Sequence, residues 1–365
     1  MNGRPLVLGL SLAAAALVTS SCGAAATNGT SILSIPKSSS GGAAHGTANV
    51  GYAGSLVGLV QTTLQPAFEK ATGDSFVGKG EGSTALAKAI LDDELSPGAF
   101  VAVGRKAIKS LWPSRSHFVL TLATDPLVVA YSPNSRYAAQ LNAIRSGAKP
   151  LSSLFTLFER RGFRLGRSDP NLDPQGGFFM LMFQLATKKL HLPAGTAAKI
   201  LGTSASNPIG STSQIFDETA LPTDIASGTV DAGSEFLTEA KQFKLNYITL
   251  PPTLNFGDPA KAALYGTVSL TLTGGAALPG EPITLDEALV LPPSGQTRSA
   301  ADQAADEAWL AFLLSPKGQS LLKRAGYVLE APKLGLAPGY TSAKSVLPSR
   351  ILSGYRRLEG SVTSS

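Results

Sequence analysis

Cysteine is nearly absent from this chain of 365 residues, which carries only Cys22. A lone cysteine excludes an internal disulfide framework. Histidine is almost as scarce. His45 lies in a glycine- and alanine-rich stretch, His117 stands before a strand and His191 ends a helix. None has a partner at metal-ligand or triad spacing, and single surface or capping roles suit each better. The glycine-rich GKGEGS at 78–83 is neither a phosphate loop nor a dinucleotide fingerprint, and no GxSxG elbow occurs. Charged residues make up 15%, and the net charge of +6 comes without basic runs or interleaved aromatics. Nucleic acid is therefore a poor partner, whereas a mild attraction for small anions fits. Little is left to support catalysis.

The N-terminus is distinctive. MNGRPLVLGLSLAAAALVTSSC places Arg4 before an apolar stretch from Leu6 to about Val18, then small residues and Cys22. It is too short and too lightly flanked for a membrane span and has the form of an export signal. Cys22 falls where a lipoprotein signal places the acylated residue; an ordinary secretory signal is the alternative. Residues 23–47, rich in Gly, Ala, Ser and Thr, read as a flexible tether. The body from about Ala48 is large for one core and comfortable for two lobes.

Within that body, strands alternate with helical stretches. NVGYAG leads into SLVGLVQTTLQPAFEKATG, with Leu56, Leu59, Val60, Leu64 and Phe68 at helical spacing and Ser55 at the start. DSFVGKGEG leads into STALAKAILDDEL, with Ser83 expected as N-cap. LATDPLVVAYSP and YGTVSLTL read as continuous apolar strands of a buried parallel sheet, as does KLNYITLPP. LATDPLVVAYSP and KLNYITLPP are placed to cross between lobes. The expected class is α/β, with two lobes joined by paired strands.

Helix starts offer unpaired N–H groups and partial positive charge, and a Gly-Ser pair adds a hydroxyl and close backbone approach. AGS at 53–55 and EGS at 81–83 are two such ends. SDPNLDPQG, at 168–176, adds two aspartates before prolines. Asp173 before Pro174 is most simply a helix N-cap, and Asp169 the start of a turn.

GFRLGRSDPNLDPQG resembles the SDPN-x-DP-x-G stretch of the tungstate/molybdate-binding proteins of ABC importers. YAGSLVGL, GEGSTALAKAI, TDPLVVAYSPNSRYA, SGTVDAGSEF, YITLPPTLNFGDP and WLAFLLSPKGQ are similar to further segments of that family in the same order, from about Asn49 to Gly326. The resemblance implies a periplasmic solute-binding fold closing at a hinge of two crossing strands around an oxoanion. It implies lobe 1 over 48–123 and 249–331 and lobe 2 over 124–248, followed by an extension at 332–365 whose role the sequence does not show.

Carried over position by position, the resemblance makes Ser55 and Ser83 donors to the oxoanion. It makes Asp173 and Glu235 carboxylates that approach the tungsten or molybdenum itself and raise its coordination from four to six. No cofactor is implied beyond that ligand. The implied partners are a permease with its ATPase, and the implied setting is the outer face of the cell membrane, where the chain sits as a lipid-anchored monomer. The chain departs from the family pattern at Gly98, Ala99 and Val103, at Gln175 to Gly177, and at Gly233 and Ser234 before Glu235. A site for sulfate or phosphate is the alternative within the fold. A secreted hydrolase or transferase using Ser55 or Ser83 is the alternative outside it, with no base near either serine in the sequence.

Overall fold

A computed structural model describes residues 45–202 and 213–363. Cys22 and most of the expected tether lie outside the described residues. In chain order the strands begin with β1 (Thr47–Ala53), β2 (Ser75–Glu81), β3 (Ala99–Val103), β4 (Phe118–Thr124) and β5 (Leu127–Tyr131). They continue with β6 (Leu165–Arg167), β7 (Ser213–Ile215), β8 (Ala232–Phe236) and β9 (Asn246–Thr249). The last are β10 (Ser269–Thr271), β11 (Ala277–Pro279), β12 (Thr284–Leu289), β13 (Val328–Leu336) and β14 (Ser361–Thr363).

Two sheets organise the molecule. The larger runs β14-β13-β4-β12-β3-β1-β2, parallel from β3 to β2 and antiparallel where β12, β4 and β13 meet. The smaller runs β7-β6-β8-β5-β9. The chain leaves the larger sheet after Thr124 and enters the smaller one at Leu127, through Asp125 and Pro126. It returns after β9 through a proline-rich stretch. The two passages lie side by side, with Leu127 N–H donating to Asn255 O at 2.8 Å, Asp125 N–H to Ile283 O at 3.1 Å and Ile283 N–H to Phe256 O at 2.7 Å.

LATDPLVVAYSP is thus two strands and not one. Pro126 has no N–H to give a ladder, and the break falls where the chain changes sheets. Both halves pair antiparallel with their neighbours, contrary to the parallel expectation. YGTVSLTL also departs from expectation. Only Ser269–Thr271 is a strand, in a largely exposed hairpin turned at Gly274 and Gly275, both at positive φ. Its apolar residues alternate with polar ones, the pattern of a half-exposed strand.

Four helices position the cleft. Helix α1 runs over residues 54–72, opening with a 3-10 turn, Gly54–Leu56, and containing a π-helical stretch, Val60–Leu64. Helix α2 is Ser83–Leu91, α3 is Pro174–Lys189 and α4 is Leu237–Gln242. Apolar faces hold these ends still. Phe68 of α1 packs edge-on against Trp309 at 5.3 Å between ring centroids, and Phe183 of α3 edge-on against Phe155 of a neighbouring helix at 5.1 Å.

The last residues belong to the larger sheet's side. Helix α5 (Ala300–Leu314) carries α6 (Ser349–Arg357) on its surface, where Arg357 Nη2 donates to Leu314 O at 2.5 Å and Arg350 Nη1 to Ala304 O at 3.1 Å. Residues 332–363 therefore supply the end of β13, the edge strand β14 and a covering helix.

Candidate functional site

The starts of α1 and α2 follow β1 and β2, which are parallel neighbours, so both N-termini emerge at the carboxyl ends of those strands, on the same end of the larger sheet. Ser55 is buried, and its Oγ has no partner among the described residues. Ser83 is fully buried. It is not the N-cap expected of it: Gly82 holds that place, and Ser83 Oγ instead accepts from Val103 N–H at 3.1 Å. A glycine is required at the cap because a Cβ there would meet Leu172 O at 2.6 Å and Asp173 Cβ at 3.2 Å across the cleft.

Asp173 caps α3 as its Asp-Pro sequence suggests. Its Oδ1 accepts from Gln175 N–H at 3.2 Å, and its Oδ2 accepts from Ser168 Oγ. Ser168 Oγ in turn accepts from Gly176 N–H at 2.8 Å. Asp169 closes a turn, accepting from Asn171 N–H at 2.9 Å. The same loop reaches the opposite lobe, where Ala85 N–H donates to Leu172 O at 3.0 Å.

Glu235 lies on β8, fully buried, and among the described residues no amide, hydroxyl or cation donates to either oxygen. Its neighbour is Glu239 in the first turn of α4, whose Oε2 accepts from Gln175 Nε2 at 3.0 Å. Gln175 Oε1 accepts from Ser234 Oγ at 3.1 Å. Gln175 thus ties the N-terminus of α3 to the carboxyl pair.

Sequence reasoning missed Glu218, which lies beyond β7 and ahead of the helix Leu221–Ser227. Its Oε1 accepts the Ser55 N–H at 3.2 Å, and its carboxyl neighbour is Asp173. Asp125, in the crossing, was also missed; it accepts from Thr238 N–H at 3.2 Å and from the Thr238 hydroxyl.

Five carboxyls therefore share one buried region, and water cannot reach them to stabilise charge. Burial pushes Asp173 up to about 6, opposed by the hydrogen bond from Ser168. It pushes Asp125 up to about 7 and Glu235 up to about 8. Burial also raises Glu218 and Glu239 well above the ordinary glutamate range, with Asp173 adding to the first and Glu235 to the second. The pairs Asp173–Glu218 and Glu235–Glu239 each favour keeping a proton. The guanidinium of Arg167, also fully buried, donates from Nη1 to Ser168 O at 3.2 Å.

Asp173 and Glu235 belong to this region and Ser55 joins it through Glu218, from both sides of the hinge, whereas Ser83 stands one residue past Gly82 with its hydroxyl turned to Val103. A pocket of about 270 Å³ opens beside it, lined by Gly82, Ser168, Asp173, Asp217 and Glu218 among others. A larger one of about 620 Å³ lies along α1 and α4 and contains none of the five carboxyls, so the chemistry favours the smaller. Among the described residues no three His, Cys, Asp or Glu side chains are arranged to hold a metal ion.

Two α/β lobes meeting over a polar cleft, with two adjacent chain crossings behind it, define a two-lobed solute-binding protein. The chain belongs to the bacterial extracellular solute-binding proteins, whose family model matches residues 48–328. A Haloferax volcanii protein assigned as an ABC transporter molybdenum-binding protein is 30% identical over 226 residues, 62% of this chain and 68% of that one. The molybdate/tungstate-binding protein WtpA of Pyrococcus abyssi is 26% identical over 228 residues, 58% of this chain and 62% of its own length. Among solved structures, the periplasmic molybdate-binding protein of Azotobacter vinelandii aligns with a TM-score of 0.49 at 18% identity, covering 77% of this chain and 98% of that one. The family is one of solute-binding proteins. Among the described residues no helix is long and apolar enough to cross a membrane.

Proposed function

We propose that this protein captures molybdate or tungstate outside the cytoplasmic membrane and delivers it to an ABC permease driven by an ATPase. The observation that supports the reading is the contact of the Ser55 N–H with Glu218, whose carboxyl neighbour is Asp173, beside a pocket that Gly82 at the second helix start also lines. N–H and hydroxyl donors alone would serve any tetrahedral oxoanion. A carboxylate about 4 Å from an anion costs about 4 kcal/mol per pair of unit charges at an intermediate dielectric. That cost is offset where the carboxylate bonds to the central atom. Tungsten and molybdenum accept added oxygen ligands; sulfur and phosphorus in their oxoanions do not do so readily. Asp173 is then both helix cap and ligand, and Glu235 the second ligand. Lipidation at Cys22 would keep the carrier at the membrane, and the soluble body acts as a monomer.

Thermal unfolding of the body from about Ala48 with each oxoanion in turn tests this. Ligand at a thousandfold excess over its dissociation constant adds about 4 kcal/mol. A large rise with molybdate or tungstate and none with sulfate is expected. A rise with sulfate or phosphate alone would leave Asp173 a helix cap and overturn the choice of solute.

A further inference from the structure

The N–H of Ser55, a group the anion reading assigns to solute, is held by Glu218 from the opposite side of the cleft. A carboxyl on a helix start is chemically the same arrangement as an oxoanion there, since both place oxygen acceptors on unpaired N–H groups. We propose that Glu218 is an internal stand-in for the solute, seated on the start of α1 and withdrawn when the anion binds. The proposal rests on the anion reading of the cleft and adds a competitor to it.

Several contacts carry it. Glu218 is 4% exposed, so this is no casual surface contact. Gly54 leaves room for it: a Cβ at that position would overlap Glu218 Oε2 and lie 3.1 Å from Thr219. Ser55 Oγ stays buried without a partner beside the contact. The carboxyl thus satisfies the amide and leaves the hydroxyl, whereas a tetrahedral anion has oxygens for both. Glu218 also sits in a short turn in which Asp217 Oδ1 accepts from Thr219 N–H at 2.9 Å and from the Thr219 hydroxyl at 2.6 Å. That turn is held by its own exposed residues, so the Glu218 side chain can leave without unpacking a core. Solute affinity is then reduced by the fraction of molecules in which Glu218 holds the site.

The test compares the unmodified protein with Glu218→Ala, Glu218→Gln and Gly54→Ala. Calorimetric titration with sodium tungstate and molybdate gives affinity, small-angle scattering without added oxoanion gives lobe closure, and circular dichroism checks folding. Glu218→Ala is expected to bind about tenfold more tightly or better, because the competing state is removed. Glu218→Gln, whose amide oxygen still accepts the Ser55 N–H, is expected to stay near the unmodified affinity. Glu218→Ala and Gly54→Ala, which expel the carboxyl from opposite sides, are both expected to scatter as more open molecules. Weaker binding by Glu218→Ala would make Glu218 a ligand and overturn the proposal. Equal tightening by Glu218→Gln would overturn it in favour of simple charge repulsion. Scattering reads the Ser55–Glu218 contact independently of any solute: no opening in either alanine variant overturns the latch. Opening in both, with no oxoanion bound by any form, would leave the latch standing and overturn the solute reading instead.

Discussion

Gln175 Nε2 donates to Glu239 at 3.0 Å, linking the first turn of one helix to the first turn of another in the floor of the cleft. Replacing Gln175 with Ala leaves that buried carboxyl without its amide donor and frees the Ser234 hydroxyl. The cost of such an orphaned group is about 1–3 kcal/mol. Urea unfolding of Gln175→Ala should show a lower midpoint with an unchanged slope; an unchanged midpoint would mean the amide does not support the carboxyl pair.

Stability should fall as pH rises. Unfolded Asp and Glu lose their protons near pH 4, whereas Asp173, Asp125 and Glu235 hold theirs to about 6, about 7 and about 8 in the folded state. Between about pH 4 and pH 8 the folded chain binds more protons than the unfolded one, so raising pH favours unfolding. Calorimetry of the solute-free protein should give a lower Tm at pH 8 than at pH 5, and Glu235→Gln should flatten that dependence. A Tm that climbs from pH 5 to pH 8 would contradict the buried, protonated carboxyls.

The two roles of Asp173 can be separated. Asp173→Asn keeps a side-chain acceptor for the Gln175 N–H, and Asp173→Ala removes it at a cost of about 1 kcal/mol in helix capping. Only Ala should lower stability measurably. Both should weaken tungstate binding by at least about tenfold if the carboxylate bonds the metal, a loss of about 1.4 kcal/mol or more. Full affinity in Asp173→Asn would reduce Asp173 to a cap.

The parts of this site that were legible from sequence rest on local chemistry. Gly-Ser before an apolar helical stripe marks a helix start, and Asp173-Pro174 a capped one, because caps involve residues a few positions apart. Ser83 shows the limit: its hydroxyl serves Val103 on a neighbouring strand, which no local spacing reveals. Glu218 meets Ser55, 163 positions away, only when the lobes come together. In sequence it reads as an ordinary acidic residue ahead of a helix. Glu239 has the same disguise, since a short helix with Lys241 beside it reads as solvent-facing until Gln175 is seen above it. Asp125-Pro126 was read through as part of one apolar strand, because the residues on both sides of it are apolar and the change of sheet there depends on pairings far away in the chain.

The larger sheet takes strands from both ends of the body, β1 to β4 before the crossing and β12 to β14 after it, and β12 sits between β3 and β4. The smaller sheet is complete once β9 has been made. During synthesis the smaller lobe can therefore assemble early, while the larger waits for its inner strand. Until β12 arrives, β3 and β4 lack the strand that joins them, leaving their edges open to wrong partners. The order of manufacture thus makes the carrier's larger half the one most in need of protection before it is whole.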